Sequence, residues 1–209
     1  MNYIFDFDGT IVDSLPAMIS VYNKVIRDNK DPLQAEEIEV LRGMTSRRAL
    51  KHVGVRWWQV PKLFLSGMGD FHALIPTMQP CAGIPEVLQK LHDRGDKLFI
   101  VTSNTHDNVV LFLDKHNLTG YFTDIKTGSS LFKKSKDIRK LIKEHKLKRR
   151  QTVYVGDETR DAQAARLALI KIVSVSWGFN TRKILAKQRP NYLIDDAKEL
   201  FAIKLDTKK

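Results

Sequence analysis

The chain has 209 residues and a mass of 24.0 kDa, with 43% hydrophobic and 28% charged residues. This composition is typical of one large globular domain, or of a domain with a smaller insert, and excludes a fibrous or disordered chain. The single cysteine, Cys81, excludes a disulfide framework and a thiolate zinc site. The first eight residues contain no apolar signal core, and no apolar run approaches the roughly 20 residues of a membrane span. We therefore expect a cytoplasmic protein with no membrane partner.

The net charge of +11, with a sequence pI near 9.7, favours anionic partners, from small phosphate esters to nucleic acid. Much of the positive excess lies between Lys133 and Arg150. Ile138, Leu141 and Ile142 recur in this stretch at helical spacing. Most of its charges are therefore predicted to lie on the solvent-facing side of a helix.

Short apolar segments that predict strands alternate along most of the chain with amphipathic segments that predict helices. The predicted strands are residues 3–7, 97–102, 122–125, 152–155, 171–175 and a shorter segment, 192–194. The predicted helices include residues 84–91, 109–115, 138–142 and 162–167. This alternation predicts an α/β fold with a mainly parallel sheet and helices on both faces. Ligands of such sheets bind beyond the carboxyl ends of the strands.

Residues 14–78 interrupt the alternation, because their pattern is helical and contains no convincing pair of strands. We interpret this stretch as a small helical domain inserted after the first strand, with hinges at residues 13–16 and 76–83. The chain is thereby divided into a core of residues 1–13 and 80–209 and a helical insert of residues 14–79.

Two acidic pairs follow predicted strands. Asp6 and Asp8 end the first strand, where residues two apart point to the same face. Asp157 and Asp161 follow the fourth, and a helix that begins near Asp157 would place them on one face. Each pair alone fits a solvated turn or a helix N-terminus. Together, at the same edge of a sheet, they predict a shared site for Mg²⁺, which prefers carboxylate oxygens and substrate phosphates.

Two further segments fit a phosphate group. Thr102, Ser103 and Asn104 end the second core strand, and a hydroxyl followed by backbone amides at a helix start suits a phosphate oxygen, although an ordinary helix cap has the same pattern. Lys134 opens the basic helix, where an ammonium group could offset phosphate charge. Taken singly, Lys134 and the neighbouring lysines fit an exposed surface equally well.

In this order, the four segments resemble the motifs of the haloacid dehalogenase (HAD) superfamily of phosphatases, in particular its phosphoglycolate-phosphatase-like branch with a helical cap. The matching positions are Asp-x-Asp-Gly-Thr at residues 6–10, an apolar strand ending in Thr at 98–102, the lysine Lys134 and Gly-Asp-x-x-x-Asp at 156–161. The third motif departs from the family pattern, because Ser135 stands where a proline often follows the lysine. The resemblance implies a Rossmann-like core with residues 14–79 as its cap.

The resemblance also implies a mechanism and a ligand set. Asp6 would be the nucleophile that forms an aspartyl phosphate, and Asp8 would serve as the general acid and base. Mg²⁺ would be held by the Asp6 carboxylate, the Asp8 backbone carbonyl, Asp157 and Asp161, with Asp161 acting through water or bracing the other ligands. The transferring phosphoryl group would be bound by Thr102, Ser103, Asn104 and Lys134.

The function expected from these features is magnesium-dependent hydrolysis of a small phosphomonoester, such as phosphoglycolate, a sugar phosphate or a nucleotide. The partner is a small phosphorylated metabolite, and the protein is expected to be a monomer or homodimer. A phosphomutase of the same fold is one alternative. Another is a nucleic-acid-binding protein, or a nucleic-acid-end phosphatase, that uses the basic residues 133–150.

In the cap segment, Arg42, Arg47 and Arg48 could contact the distal part of the substrate or be solvated. Residues 177–180 resemble a segment near the site in this branch, but also fit a packing turn.

Overall fold

The computed structural model describes residues 1–27, 31–129 and 133–205. Within these ranges the chain forms one six-stranded sheet in which every neighbouring pair of strands is parallel, in the order β3-β2-β1-β4-β5-β6. The strands are β1 (Asn2–Phe5), β2 (Lys97–Val101), β3 (Phe122–Lys126), β4 (Thr152–Gly156), β5 (Lys171–Val175) and β6 (Tyr192–Ile194). The predicted parallel α/β fold is therefore confirmed.

Helices cover both faces of this sheet. The helices that follow the first strand are α1 (Leu15–Arg27), α2 (Ala35–Arg42), α3 (Ser46–His52), α4 (Val60–Leu74), α5 (Ile84–Asp93), α6 (His106–Lys115), α7 (Lys134–Glu144), α8 (Thr159–Ala168) and α9 (Arg182–Ala186). Apolar side chains of α5 and α6 pack with Tyr3 and Phe5 in one buried cluster. Those of α7 and α8 pack with Ile4 and Phe99 in another, on the opposite face. Alternate residues of β1 thus face opposite cores, as a pleated strand requires.

The first strand ends earlier than predicted, at Phe5 and not at residue 7. The amide of Asp6 still donates to the carbonyl of Val155 at 2.8 Å, so Asp6 remains beside β4. The chain then turns at Gly9, whose φ of 69° lies in the left-handed region that glycine adopts without strain. This early turn brings Asp6 and Asp8 to the carboxyl edge of the sheet.

The predicted helical stretch is confirmed as α1 to α4, and α1 packs against α4. Its two connections to the sheet run side by side, since Asp13 N donates to the Gln79 carbonyl at 2.9 Å and Cys81 N to the Ile11 carbonyl at 2.8 Å. These contacts lie at the proposed boundaries of the insert, whose standing as a separate domain remains a prediction. Within the described ranges, no helix combines the length and hydropathy that crossing a membrane requires.

Candidate functional site

The segment after β1, which contains Asp6 and Asp8, is held by hydrogen bonds within its own backbone and to the segment after β4. Asp6 is buried, and its Oδ1 accepts a hydrogen bond from the Phe7 amide at 2.9 Å. Thr10, which is also fully buried, donates its hydroxyl to Oδ1 of Asp157 at 3.0 Å. The segment that follows β1 is thereby joined directly to the segment that follows β4.

The second acidic segment differs from the prediction in one respect. Helix α8 begins at Thr159, so Asp157 lies before the helix and does not share a helical face with Asp161. Asp161 turns back instead, and its Oδ2 accepts a hydrogen bond from the Glu158 amide at 3.0 Å. The two carboxylates meet because the chain bends between β4 and α8, and not because of helical periodicity.

Three buried carboxylates converge at this edge of the sheet. Each of Asp6, Asp157 and Asp161 offers an oxygen, and these three atoms lie within 4.8 Å of one another. Lys134 joins two of them, since its Nζ lies 2.6 Å from Oδ2 of Asp6 and 2.7 Å from Oδ1 of Asp161. A cluster of buried oxygen ligands of this kind suits Mg²⁺. Leu131 and Phe132, which precede the motif lysine, lie outside the described residues.

Burial and like charge shift the acidities of this cluster. Burial and the carboxylates of Glu158, Asp161 and Asp6 raise the pKa of Asp157 well above its ordinary value. Burial raises the pKa of Asp161 to about 6, although the charge of Lys134 opposes this. Burial disfavours the charged form of Lys134, but Asp161 and Asp6 outweigh it, so the pKa of Lys134 is raised. The cluster thus holds more negative charge than one ammonium group offsets.

A chain of hydrogen bonds connects Asp8 to the helical insert. Nδ2 of Asn104 donates to both carboxylate oxygens of Asp8, at 3.2 and 3.0 Å, and Nδ2 of Asn108 donates to Oδ1 of Asn104 at 2.8 Å. Oδ1 of Asn108 lies 2.6 Å from Nδ1 of His72, on α4, and this oxygen only accepts, so His72 donates. In each of these hydrogen bonds, the donor is therefore the residue farther from Asp8. Burial raises the pKa of Asp8, although the bond from Asn104 opposes the shift.

The segment after β2 lies beside Asp8, but it is not the start of a helix. Helix α6 begins at His106, with Thr105 as its N-cap, so residues 102–104 form a turn before it. The hydroxyl of Thr102 accepts a hydrogen bond from the Asn104 amide at 3.0 Å, which leaves its own hydrogen free to donate. Ser103 is half-buried and lines the cavity next to Asp8.

The loop after β5 packs closely against the carboxylate cluster. The amide of Phe179 donates to Oδ2 of Asp157 at 2.7 Å. A Cβ on Gly178 would lie 2.3 Å from the carbonyl oxygen of Gly9 and 2.4 Å from Cβ of Asp157. Both distances are shorter than any ordinary contact, so only glycine fits there. The segment at residues 177–180 is therefore part of the site and not merely a packing turn.

The helical insert contacts the core at the same edge. Ser46, at the start of α3, donates to Oε2 of Glu158 at 2.7 Å. Arg42 donates to the carbonyl oxygens of Phe179 and Gly178, at 2.9 and 3.1 Å. The guanidinium of Arg42 is thus used to join the insert to the core, while Arg47 and Arg48 are exposed.

Two cavities lie between the insert and this edge of the sheet. One, of about 340 Å³, reaches Asp8, Ser103 and Asn104 on the core side and apolar side chains of α1 and α4 on the other. The second, of about 650 Å³, reaches Lys134 and the start of α8. The carboxylate cluster therefore borders two half-open cavities, through Asp157 and Lys134, whose size suits small molecules.

The structure brings all the sequence-predicted site residues to one edge of the sheet. Asp6, Asp157, Asp161 and Lys134 form the buried cluster, while the Asp8 side chain lies next to it and contacts Asn104. Sequence reasoning did not identify the contacts of His72, Asn108, Ser46 and Glu158 at the site, or that of Arg160, whose Nη2 donates to Oε1 of Glu158. Glu158 and Arg160 could have been noticed as two charged residues inside the fourth motif. No sequence signal joins His72 or Ser46 to the site, because they contact it only through the tertiary fold.

The comparison with protein families settles the membership of the chain. Residues 3–175 match the model of the haloacid dehalogenase-like hydrolases. The chain belongs to this family. A phosphoglycolate phosphatase from Synechococcus elongatus is 32% identical over 199 residues, which cover 95% of this chain and 94% of that protein. The prediction of a HAD-type phosphatase of the phosphoglycolate-phosphatase-like branch is confirmed.

Solved structures share the fold. A haloacid dehalogenase-like hydrolase from Streptococcus pneumoniae superposes with a TM-score of 0.81 at 22% identity, covering 96% of each chain. A predicted phosphoglycolate phosphatase from Haemophilus somnus superposes with a TM-score of 0.75 at 24% identity, again covering 96% of each chain.

Replacing Gly178 by alanine is expected to destabilise the protein, because the new Cβ would overlap the carbonyl oxygen of Gly9 and the buried side chain of Asp157. Overpacking of this kind costs about 1–3 kcal/mol, and each kcal/mol lowers the Tm of a protein of this size by roughly 2–4 °C. Thermal unfolding followed by circular dichroism measures the change. Gly120→Ala is the matched control, since a Cβ there would have no neighbour within 4 Å. Equal Tm values for the two variants would contradict the close approach of Gly178 to Gly9 and Asp157.

In EDTA at pH 8, Asp157→Asn is expected to raise the Tm by about 2 °C or more. The carboxyl of Asp157 has a raised pKa in the folded state, so it destabilises the fold increasingly as the pH rises through that pKa. The asparagine side chain can still accept from the Phe179 amide through its oxygen and donate from its nitrogen to the Thr10 hydroxyl, and it carries no charge.

Differential scanning fluorimetry across pH 4–8 tests this expectation. The difference between variant and wild type should nearly vanish at pH 4, where the buried carboxyl is protonated. The exposed change Asp93→Asn should give no pH-dependent difference. A variant that is less stable than the wild type at pH 8 would show that the cluster is not strained by its charge.

Proposed function

We propose that this protein is a magnesium-dependent phosphatase that hydrolyses a small phosphomonoester through a phosphorylated Asp6. The observation that carries the proposal is the buried cluster of Asp6, Asp157 and Asp161 around Lys134, at the carboxyl edge of a parallel sheet. Phosphoryl transfer requires little beyond alignment and neutralisation of charge on the phosphate oxygens. A compact group of carboxylates with one buried ammonium group is suited to both.

The first substrate to test is 2-phosphoglycolate. The curated relative from Synechococcus elongatus is named for this activity, and it aligns over nearly the whole of both chains. Residues of the insert and of the core line both cavities together, and cavities of this size favour a small ester over a polymer. We take residues 14–79 as the cap that closes over the substrate and excludes water.

The reaction assigned to the site has two displacements at phosphorus. A carboxylate oxygen of Asp6 attacks phosphorus, the bond to the leaving oxygen breaks, and Asp8 gives that oxygen its proton. Water then attacks the phosphorus of the aspartyl phosphate, Asp8 takes a proton from the water, and the bond to Asp6 breaks. Inorganic phosphate leaves, and both carboxyl groups return to their starting states. The raised pKa of Asp8 suits a group that must hold a proton in the first step.

The residues present fit a magnesium ion. The oxygens of Asp6, Asp157 and Asp161 lie close enough together to share one cation, and all three side chains are buried. The Asp8 backbone carbonyl would complete the protein ligands, as the family resemblance implies. Bound there, the ion would supply positive charge that offsets the carboxylates and the phosphate oxygens.

The phosphoryl group is assigned to the space between Asp6 and the turn after β2. The free hydroxyl hydrogen of Thr102, the groups of Ser103 and Asn104 and the ammonium of Lys134 would bind its oxygens. The Asn104 amide donates to Thr102, so its participation requires a small rearrangement of the turn.

The basic face of α7 does not favour the nucleic-acid alternative. Lys136, Arg139, Lys140 and Lys143 are exposed there, as the sequence predicted. Arg139 donates to the Leu167 carbonyl, and Lys140 lies 3.9 Å from Glu144. Residues 133–150 contain no Phe, Trp or Tyr side chain on which a base could stack. The face therefore fits a solvated helix surface.

The Asp6→Asn variant is expected to lose hydrolysis of p-nitrophenyl phosphate and 2-phosphoglycolate by roughly 10³-fold or more, because an amide is a poor nucleophile. Phosphate release is measured with Mg²⁺ and with EDTA, and EDTA should abolish wild-type activity. Asp93→Asn is the matched control, and circular dichroism checks the fold. An Asp6→Asn protein that retains most of its activity would remove Asp6 as the nucleophile. Conversion of a sugar phosphate to an isomer, without phosphate release, would favour the mutase alternative.

The hydrogen-bond chain to Asp8 gives a second expectation. The change Asn108→Leu removes the donor that orients Asn104, so Asp8 should protonate the leaving oxygen less well. The kcat/KM for ethyl phosphate, whose leaving group requires a proton, should fall by roughly 10-fold or more. The kcat/KM for p-nitrophenyl phosphate, whose leaving group requires none, should change by less than about 3-fold, because kcat/KM reports the first displacement and not the later hydrolysis of the aspartyl phosphate. An equal loss on both esters would contradict a role in orienting Asp8.

A further inference from the structure

Arg160 lies in the first turn of α8, and the functions assigned above do not use it. Its Nη2 donates to Oε1 of Glu158. Its Nε and Nη1 are buried, and neither finds an acceptor among the residues that the structure describes. Buried N–H groups are nearly always paired, and an unpaired charged donor is costlier than a neutral one. The protein thus positions a cation of which two buried nitrogens, Nε and Nη1, have no acceptor among the described residues.

The guanidinium lies on the insert side of the carboxylate cluster. Glu158, its partner, accepts a hydrogen bond from Ser46 of α3, so the pair belongs to the contact between insert and core. Arg160 lines both cavities, and the smaller of them also reaches Asp8. The proposed acid, Asp8, lies where the leaving oxygen departs, so this cavity is where the leaving group would lie.

Arg160 is also the cation best placed to bind there. Among the described residues that line the smaller cavity, the charged ones are Asp8, Asp157, Glu158 and Arg160. Lys134 contacts Asp6 and Asp161, and Arg42, which does not line the smaller cavity, donates to the carbonyl oxygens of Phe179 and Gly178. Arg160 is the one cationic side chain in this set, so a negative group on the leaving alcohol would be attracted to it.

We propose that Arg160 binds a carboxylate on the leaving group, so that the site selects phosphate esters of hydroxy acids over neutral esters of the same size. This inference rests on the proposed phosphatase function. It assigns Arg160 to substrate selection, whereas the phosphoryl group is bound by Thr102, Ser103, Asn104 and Lys134. Because Glu158 connects Arg160 to Ser46, closure of the insert would hold the guanidinium in place.

The test compares two esters that differ only in charge, 2-phosphoglycolate and 2-phosphoglycolamide. The wild type should prefer the carboxylate in kcat/KM. In Arg160→Gln the kcat/KM for 2-phosphoglycolate should fall on the order of 100-fold, mainly through KM, while that for the amide changes less than about 3-fold. Arg160→Lys, which keeps the charge, should retain part of the preference. Arg166→Gln is the control, because Arg166 is exposed on the same helix.

The outcomes separate this inference from the function on which it rests. A wild type that hydrolyses both esters equally well overturns the role of Arg160 and leaves the proposed phosphatase intact, and this result does not depend on whether a variant folds. Equal losses on both esters in Arg160→Gln also overturn it, because Arg160 would then act on the phosphoryl group or the fold. If the wild type hydrolyses neither of these esters and does not hydrolyse p-nitrophenyl phosphate, both proposals are overturned.

Discussion

The burial of three carboxylates around one lysine is the constraint on which the site depends. Asp6, Asp157 and Asp161 lie too close together for their charges to be offset by Lys134 alone. Like charges in a buried place are tolerated only where protons, cations or a substrate group compensate them. Burial raises the pKa of Asp161 to about 6, and the carboxylates of Asp6 and Glu158 add to this shift. In the proposed function, a divalent cation would compensate this surplus of negative charge and so allow a phosphate group to bind beside Asp6.

The surrounding backbone holds the carboxylates of this cluster in fixed positions. The turn at Gly9 and the loop at Gly178 approach so closely that no side chain fits between them. Thr10 and the Phe179 amide each occupy one oxygen of Asp157, which fixes the orientation of that carboxylate. Three segments that are distant in sequence thus hold each other at the carboxyl edge of the sheet. Such preorganisation is what phosphoryl transfer requires of a protein.

The helical insert contributes to the site as well as covering it. Through Ser46 it contacts Glu158 and, beyond it, Arg160. Through His72 it reaches Asp8 by way of two buried asparagines. In the proposed mechanism, the connection through Ser46 orients Arg160, which selects the leaving group. The connection through His72 orients Asp8, which protonates the leaving group. In the same proposal, closure of the insert over a substrate would be coupled to assembly of the acid, which suits an enzyme that must exclude water before the first displacement.

The sequence by itself determined the strands, the helical insert and the four motifs, because these depend on local patterns. Apolar segments with turns between them predict a parallel sheet, and the acids that follow two of the strands must then meet at one edge. The bend that places Asp157 before α8, the early end of β1 and the turn before α6 were decided by the tertiary structure. So were the contacts of His72, Ser46 and Arg160 with the site. These side chains join elements far apart in the chain, and no local pattern encodes which distant partner a hydrogen-bonding group will find once the insert packs against the core.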